Sequence, residues 1–120
     1  NPMSLTEKKC VPCEGGTLPL DARRIEEYHK EVPSWTVVDG KRITKGYVFK
    51  DFNAAMAFVN QIAKLAEEEG HHPNIYLHSW NRVRLELETH AIGGLSENDF
   101  IIAARIDILA AADERGSRRG

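Results

Sequence analysis

Arg82-Val83-Arg84-Leu85-Glu86-Leu87-Glu88-Thr89 is the stretch whose reading decides the fold. Val83, Leu85 and Leu87 fall on one side of an extended chain; Arg82, Arg84, Glu86 and Glu88 fall on the other. A strict period of two marks a strand with one buried and one wetter face, as in an antiparallel sheet covered on one side. Just upstream, Ile75 to Trp80 reads as a partner strand.

A second strand pair lies earlier in the chain. Trp35-Thr36-Val37-Val38 is rich in β-formers, and Asp39-Gly40 is a tight hairpin signal. The returning strand puts Ile43, Lys45, Tyr47 and Phe49 on one face and Thr44, Gly46 and Val48 on the other. Three helices punctuate these pairs. The first runs from Ala22 to Lys30, with Asp21 as cap, Ile25, Tyr28 and Val32 at helical spacing, and Pro33 as the stop. The second, capped by Asp51 or Asn53, carries an apolar stripe of Phe52, Ala55, Met56, Val59, Ile62, Ala63 and Ala66, widened by Phe58 and Leu65. Glu67-Glu68-Glu69 reads as a solvated turn at the end that the helix dipole disfavours, so fraying is expected before Gly70 stops the helix. The third starts at Ser96, with Asp99 as the other half of a near capping box. Phe100, Ile101, Ala103, Ala104, Ile108 and Ala111 carry it to Ala112. The order α-β-β-α-β-β-α predicts an α+β domain: a four-stranded, largely antiparallel sheet with helices packed on one face. Residues 1–19, interrupted by Gly15-Gly16 and Pro19, read as a flexible arm, 20–112 as the domain, and 113–120 as a disordered tail.

A chain of 120 residues, 42% hydrophobic and 28% charged, fits one globular domain. The net charge of −2 comes from interleaved acids and bases, which argues against a nucleic-acid-binding surface. No run reaches membrane-spanning length and no signal pattern is present, so no membrane partner is expected. The expected compartment is the cytoplasm, or an organelle matrix if a targeting segment has been removed. Cys10 and Cys13 form a lone C-x-x-C without the second ligand pair of a zinc site or the βαβ setting of a redox motif. They read as two thiols on the arm.

Three of the five histidines lie at helix–strand junctions, in Gly70-His71-His72-Pro73 and Thr89-His90. Junctions present side chains without spending them on the core, and imidazole exchanges protons near neutral pH. Acid–base chemistry is one reading; plain surface turns are the other. A metal site is disfavoured, because adjacent His71 and His72 point differently and no carboxylate–histidine set has matching spacing. His29 and His78 read as surface or packing residues.

Glu67-x3-His71-His72-Pro73, the alternating strand into Thr89-His90, and Gly94-Leu95-Ser96-x-x-Asp99 together resemble the pterin-4a-carbinolamine dehydratase family. The similarity runs from about Leu18 to Ala112. It departs from many relatives at Leu87-Glu88, where they carry an aromatic residue. The resemblance implies this same architecture, assembly into homodimers or homotetramers, and elimination of water from a 4a-hydroxytetrahydropterin, with no metal and no organic cofactor. It implies that His71 acts as general acid at the leaving hydroxyl, that His72 binds and orients the pterin, and that His90 is a further acid–base group on the opposite side. Pro73 fixes the backbone of His72. Glu67, four residues before His71, is placed to orient that imidazole, and Asp99 is divided between helix capping and the site. Trp35 is a candidate aromatic wall for the pterin, whereas Trp80 reads as packing at a strand end. Relatives with binding roles, as dimerisation cofactor of a homeodomain transcription factor or as Rubisco assembly factor, imply the alternative of a non-catalytic binding module.

Overall fold

The computed structural model describes residues 5–10 and 18–117. The expected elements follow in order: α1 (Ala22–His29), β1 (Thr36–Val38), β2 (Arg42–Val48), α2 (Phe52–Glu69), β3 (Asn74–His78), β4 (Arg82–Leu87) and α3 (Glu97–Ser117). The strands form one sheet in the order β1-β2-β4-β3, antiparallel throughout. The decisive stretch therefore lies inside the sheet, with Leu85 opposite Lys45 on one side and Ile75 on the other.

Local chemistry explains the boundaries. Asp21 Oδ1 accepts from the Arg24 amide at 2.9 Å, and Asp51 Oδ1 from that of Ala54 at 2.8 Å, so Asp51 rather than Asn53 starts α2. Asp39 and Gly40 both have positive φ, the geometry of a hairpin turn matched to sheet twist.

Val83, Leu85 and Leu87 of β4 and Ile43 of β2 are buried in one cluster with Phe58 and Ile62 of α2 and Phe100, Ile102 and Ile106 of α3. The helices thus cover one face. Arg82 and Arg84 are exposed on the other, where the Arg84 guanidinium lies 4.6 Å from the Tyr76 ring centroid. Among the described residues no helix is long and apolar enough to cross a membrane.

Packing departs from the sequence reading in three places. The buried side of α2 is Ala55, Phe58, Ile62, Leu65 and Ala66, whereas Phe52, Met56 and Ala63 are exposed. The apolar arc is wider than the strip the core covers, and periodicity alone does not say which edge is left out. In α3, Ile102 and Ile106 are buried while Ile108 and Ala111 are exposed, because α1, α2 and residues 5–7 all pack on this helix. Its backbone also continues to Ser117, past the expected end at Ala112.

The third departure is the arm. Leu5–Glu7 forms a 3-10 turn, and Leu5 is 1% exposed within the core, so residues 5–10 are docked rather than free. Glu69 ties their far end to the fold. Its carboxylate accepts from the Cys10 amide at 3.0 Å and lies 3.6 Å from both Lys9 and Arg105. The Cys10 amide, aided by Arg105 and Lys9 and only partly opposed by burial, holds this carboxyl below its usual range. A depressed pKa means stabilisation that is present near neutrality and is lost as pH falls through the depressed value. The expected solvated glutamate is therefore a buried anchor. Cys13 and the rest of 11–17 lie outside the described residues.

Candidate functional site

Gly70 closes α2 in the left-handed conformation, φ 67° and ψ 25°. Its amide bonds to the Ala66 carbonyl at 2.8 Å, and the amide of His71 reaches the same oxygen at 3.3 Å. The helix end expected to fray is thus capped. The reversal at Gly70 carries His71 across to the first turn of α3.

There His71 Nε2 lies 2.6 Å from Asp99 Oδ1. Asp99 is fully buried and His71 keeps 13% of its side chain exposed, so the imidazole is the only outlet of the pair to solvent. The other Asp99 oxygen, Oδ2, accepts from the Thr89 hydroxyl at 2.8 Å and from the Ser96 amide at 3.0 Å. Thr89 has one hydroxyl proton and gives it to Asp99, so the Ser96 hydroxyl, 2.8 Å away, donates to Thr89. Proton counting then fixes the histidine. A carboxylate only accepts, so His71 carries its N–H on Nε2 and leaves Nδ1 for proton exchange. Asp99 is both cap partner and histidine partner: one oxygen holds the Ser96 amide and the other faces the His71 ring.

Sequence gives Ser96 as a helix cap and Thr89 as the end of a strand, but neither as a partner of the other or of His71. The signal was there: Thr89 continues the parity of Val83, Leu85 and Leu87, and a polar residue on the buried face of a strand needs a partner. The loop between them is closed by Thr89 and Gly94, whose backbones pair at 2.8 Å. A Cβ at Gly94 would stand 2.8 Å from Pro19, so only glycine lets the segment before α1 lie here. Inside the loop His90 begins a 3-10 turn, with Nδ1 3.1 Å from Glu88 Oε1.

The remaining expected residues are distributed unevenly. Glu67 bonds to His72, at 2.6 Å, and not to His71; the i,i+4 relation ends where Gly70 leaves the helix. Pro73 is half-buried directly before β3. Trp35 is 1% exposed and donates to Asp107 at 2.9 Å, which makes it a core residue with no face for a ligand. Trp80, read as packing, is 61% exposed on a hairpin tip where Ser79 and Trp80 both have positive φ. A groove of about 450 Å3 between α2 and α3 includes Thr6, Leu65, Arg105 and Leu109, and none of the three junction histidines lines it.

The family model described as Pterin 4 alpha carbinolamine dehydratase matches residues 18–109. A protein of Rubrobacter xylanophilus, provisionally named pterin-4-alpha-carbinolamine dehydratase, is 43% identical over 105 residues, covering 88% of this chain and 97% of its own. One of Halorhodospira halophila with the same provisional name is 44% identical over 110 residues, covering 91% and 100%. Among solved structures, a transcriptional coactivator/pterin dehydratase from Brucella melitensis superposes with TM-score 0.71 at 34% identity, over 77% of this chain and 98% of that one. A pterin dehydratase-like protein identified as a RuBisCO assembly factor in the alpha-carboxysome superposes with TM-score 0.55 at 30% identity, over 64% and 89%.

Proposed function

The chain belongs to the pterin 4 alpha carbinolamine dehydratase family, and on that premise we propose that it removes water from a 4a-hydroxytetrahydropterin to give the quinonoid dihydropterin. The C4a–OH bond breaks, the hydroxyl leaves as water after taking a proton, and a ring nitrogen gives one up. The protein's task is proton transfer and orientation. His71 supplies the proton from Nδ1, and the Asp99 carboxylate supports the cationic form of the ring before transfer. His90 takes or relays the second proton, partnered by Glu88. His72, steadied by Glu67 and aimed by Pro73, holds the pterin. The observation that carries this reading is the 2.6 Å contact between His71 and buried Asp99, inside the stretch that the family model matches.

Dehydration of a 4a-hydroxytetrahydropterin, followed by absorbance, tests it directly. His72→Ala is expected to raise KM about tenfold with kcat little changed, because a lost hydrogen bond to substrate weakens ground and transition states together. A kcat loss at constant KM would assign His72 to proton transfer instead.

A second reading is a protein-binding role, and it has its own support. Phe52, Met56 and Trp80 are exposed apolar side chains, and the two structural relatives are described as a coactivator and an assembly factor. Binding alone has no use for three imidazoles, so a wild type without dehydratase activity would favour it. On either reading the edge strands β1 and β3 present unpaired backbone groups that a second copy can cover. A homodimer or homotetramer is expected at micromolar concentration in the cytoplasm or an organelle matrix, and light scattering that finds a monomer across that range would refute it.

A further inference from the structure

The His71–Asp99 contact joins the end of α2 to the start of α3. The docked N-terminal segment joins the same two ends a second time. On the α2 side, Glu69, two residues before His71, accepts from the Cys10 amide at 3.0 Å and faces Lys9 at 3.6 Å. On the α3 side, Lys8 pairs with Glu97, and Cys10 Sγ lies 3.7 Å from the carbonyl oxygen of Asn98, the residue before Asp99. Arg105 closes the circuit from α3: one guanidinium nitrogen donates to the Lys8 carbonyl at 2.6 Å, and another lies 3.6 Å from Glu69. The Glu69 side chain is 4% exposed, so its bonds to the Cys10 amide and Arg105 are largely withdrawn from solvent, whereas Lys9, 80% exposed, adds little. Tyr28 reinforces the α3 end by donating to Glu97 at 2.9 Å.

From this arrangement we infer that Glu69 is a positioning residue. Held by the N-terminal segment and Arg105, it sets the spacing between the two helix ends and so the hydrogen bond from His71 to Asp99. The inference rests on His71 being the working imidazole of the dehydratase reading. A hydrogen bond near 2.6 Å has little tolerance, and a displacement of about 1 Å at a catalytic group costs on the order of a hundredfold in rate.

The experiment uses the full chain carrying Glu69→Ala or Glu69→Gln, each shown by circular dichroism to be folded at the assay temperature. Two quantities are read: kcat against KM for dehydration, and the ring-nitrogen resonances of His71 in nitrogen-15 spectra without ligand. Glu69→Ala is expected to lower kcat about tenfold to a hundredfold at nearly constant KM, and to move the His71 Nε2 resonance toward that of an imidazole in water. Glu69→Gln keeps the acceptor for the Cys10 amide and is expected to recover part of both. In an Asp99→Asn background, Glu69→Ala should cost little further in kcat, since both changes act on one contact. Wild-type His71 resonances in folded Glu69→Ala would overturn the inference and leave the N-terminal segment as packing only. An inactive wild type would overturn the dehydratase reading instead, and the resonances would still decide whether Glu69 positions His71.

Discussion

Replacing His71 by alanine is expected to lower kcat by about a hundredfold to ten-thousandfold while the protein stays folded. The side chain is partly exposed and hydrogen-bonds to Asp99, so its loss opens no large core cavity. KM should move little, because proton donation to a leaving hydroxyl is felt in the transition state and not in the ground state. His90→Ala should cost less. Its ring is largely exposed beside Glu88, where water can substitute. The double variant should approach the uncatalysed rate. Nearly full kcat in folded His71→Ala would sink the proposed mechanism, however well the chain matches its family.

Asp99 should couple activity to stability. Asp99→Ala strands the Thr89 hydroxyl, the Ser96 amide and His71 Nε2 where water barely reaches, and about 3–5 kcal/mol of unfolding free energy should be lost. Urea denaturation measures this. Asp99→Asn separates the two roles. Its one oxygen is claimed by the Ser96 amide and the Thr89 hydroxyl, so its NH2 must face His71. That forces the imidazole to accept at Nε2 and to carry its only proton on Nδ1, so giving that proton up would leave an anionic ring; the cationic donor that the Asp99 carboxylate supports is lost. The fold should survive with about 1–3 kcal/mol lost, and kcat should fall by about a hundredfold or more. Wild-type kcat in Asp99→Asn would show that the orientation of His71 is immaterial.

The features behind these expected results are unequally visible in the sequence. The alternation of β4, the Asp39-Gly40 hairpin and the caps at Asp21 and Asp51 are set by residues within a few positions of one another, so local chemistry reveals them. The three histidines were legible as junction residues for the same reason. What sequence withheld depends on distant partners. Glu69 reads like Glu67 and Glu68 until Arg105 and the segment around Lys9 are brought against it. Helical spacing aims Glu67 at His71 only if it is extended past Gly70, where the backbone turns left-handed and Glu67 meets His72 instead. Trp35 offered an aromatic surface that Asp107 and the core had already taken. In α2 the excess of apolar positions hid which edge, Phe52 with Met56 and Ala63, would face outward.

Trp35 and Trp80 lie at opposite extremes of exposure, 1% and 61%, and these are the chain's two tryptophans. One emission spectrum therefore contains two independent reporters. The indole bound to Asp107 emits from a dry interior, toward the blue, and shifts only when the core opens. The indole on the Ser79-Trp80 tip emits toward the red and is within reach of a soluble quencher. Quencher titration against chain concentration would register any surface that comes to cover the hairpin tip, and denaturant would register unfolding at the other wavelength. Association and folding can be followed in the same unlabelled sample.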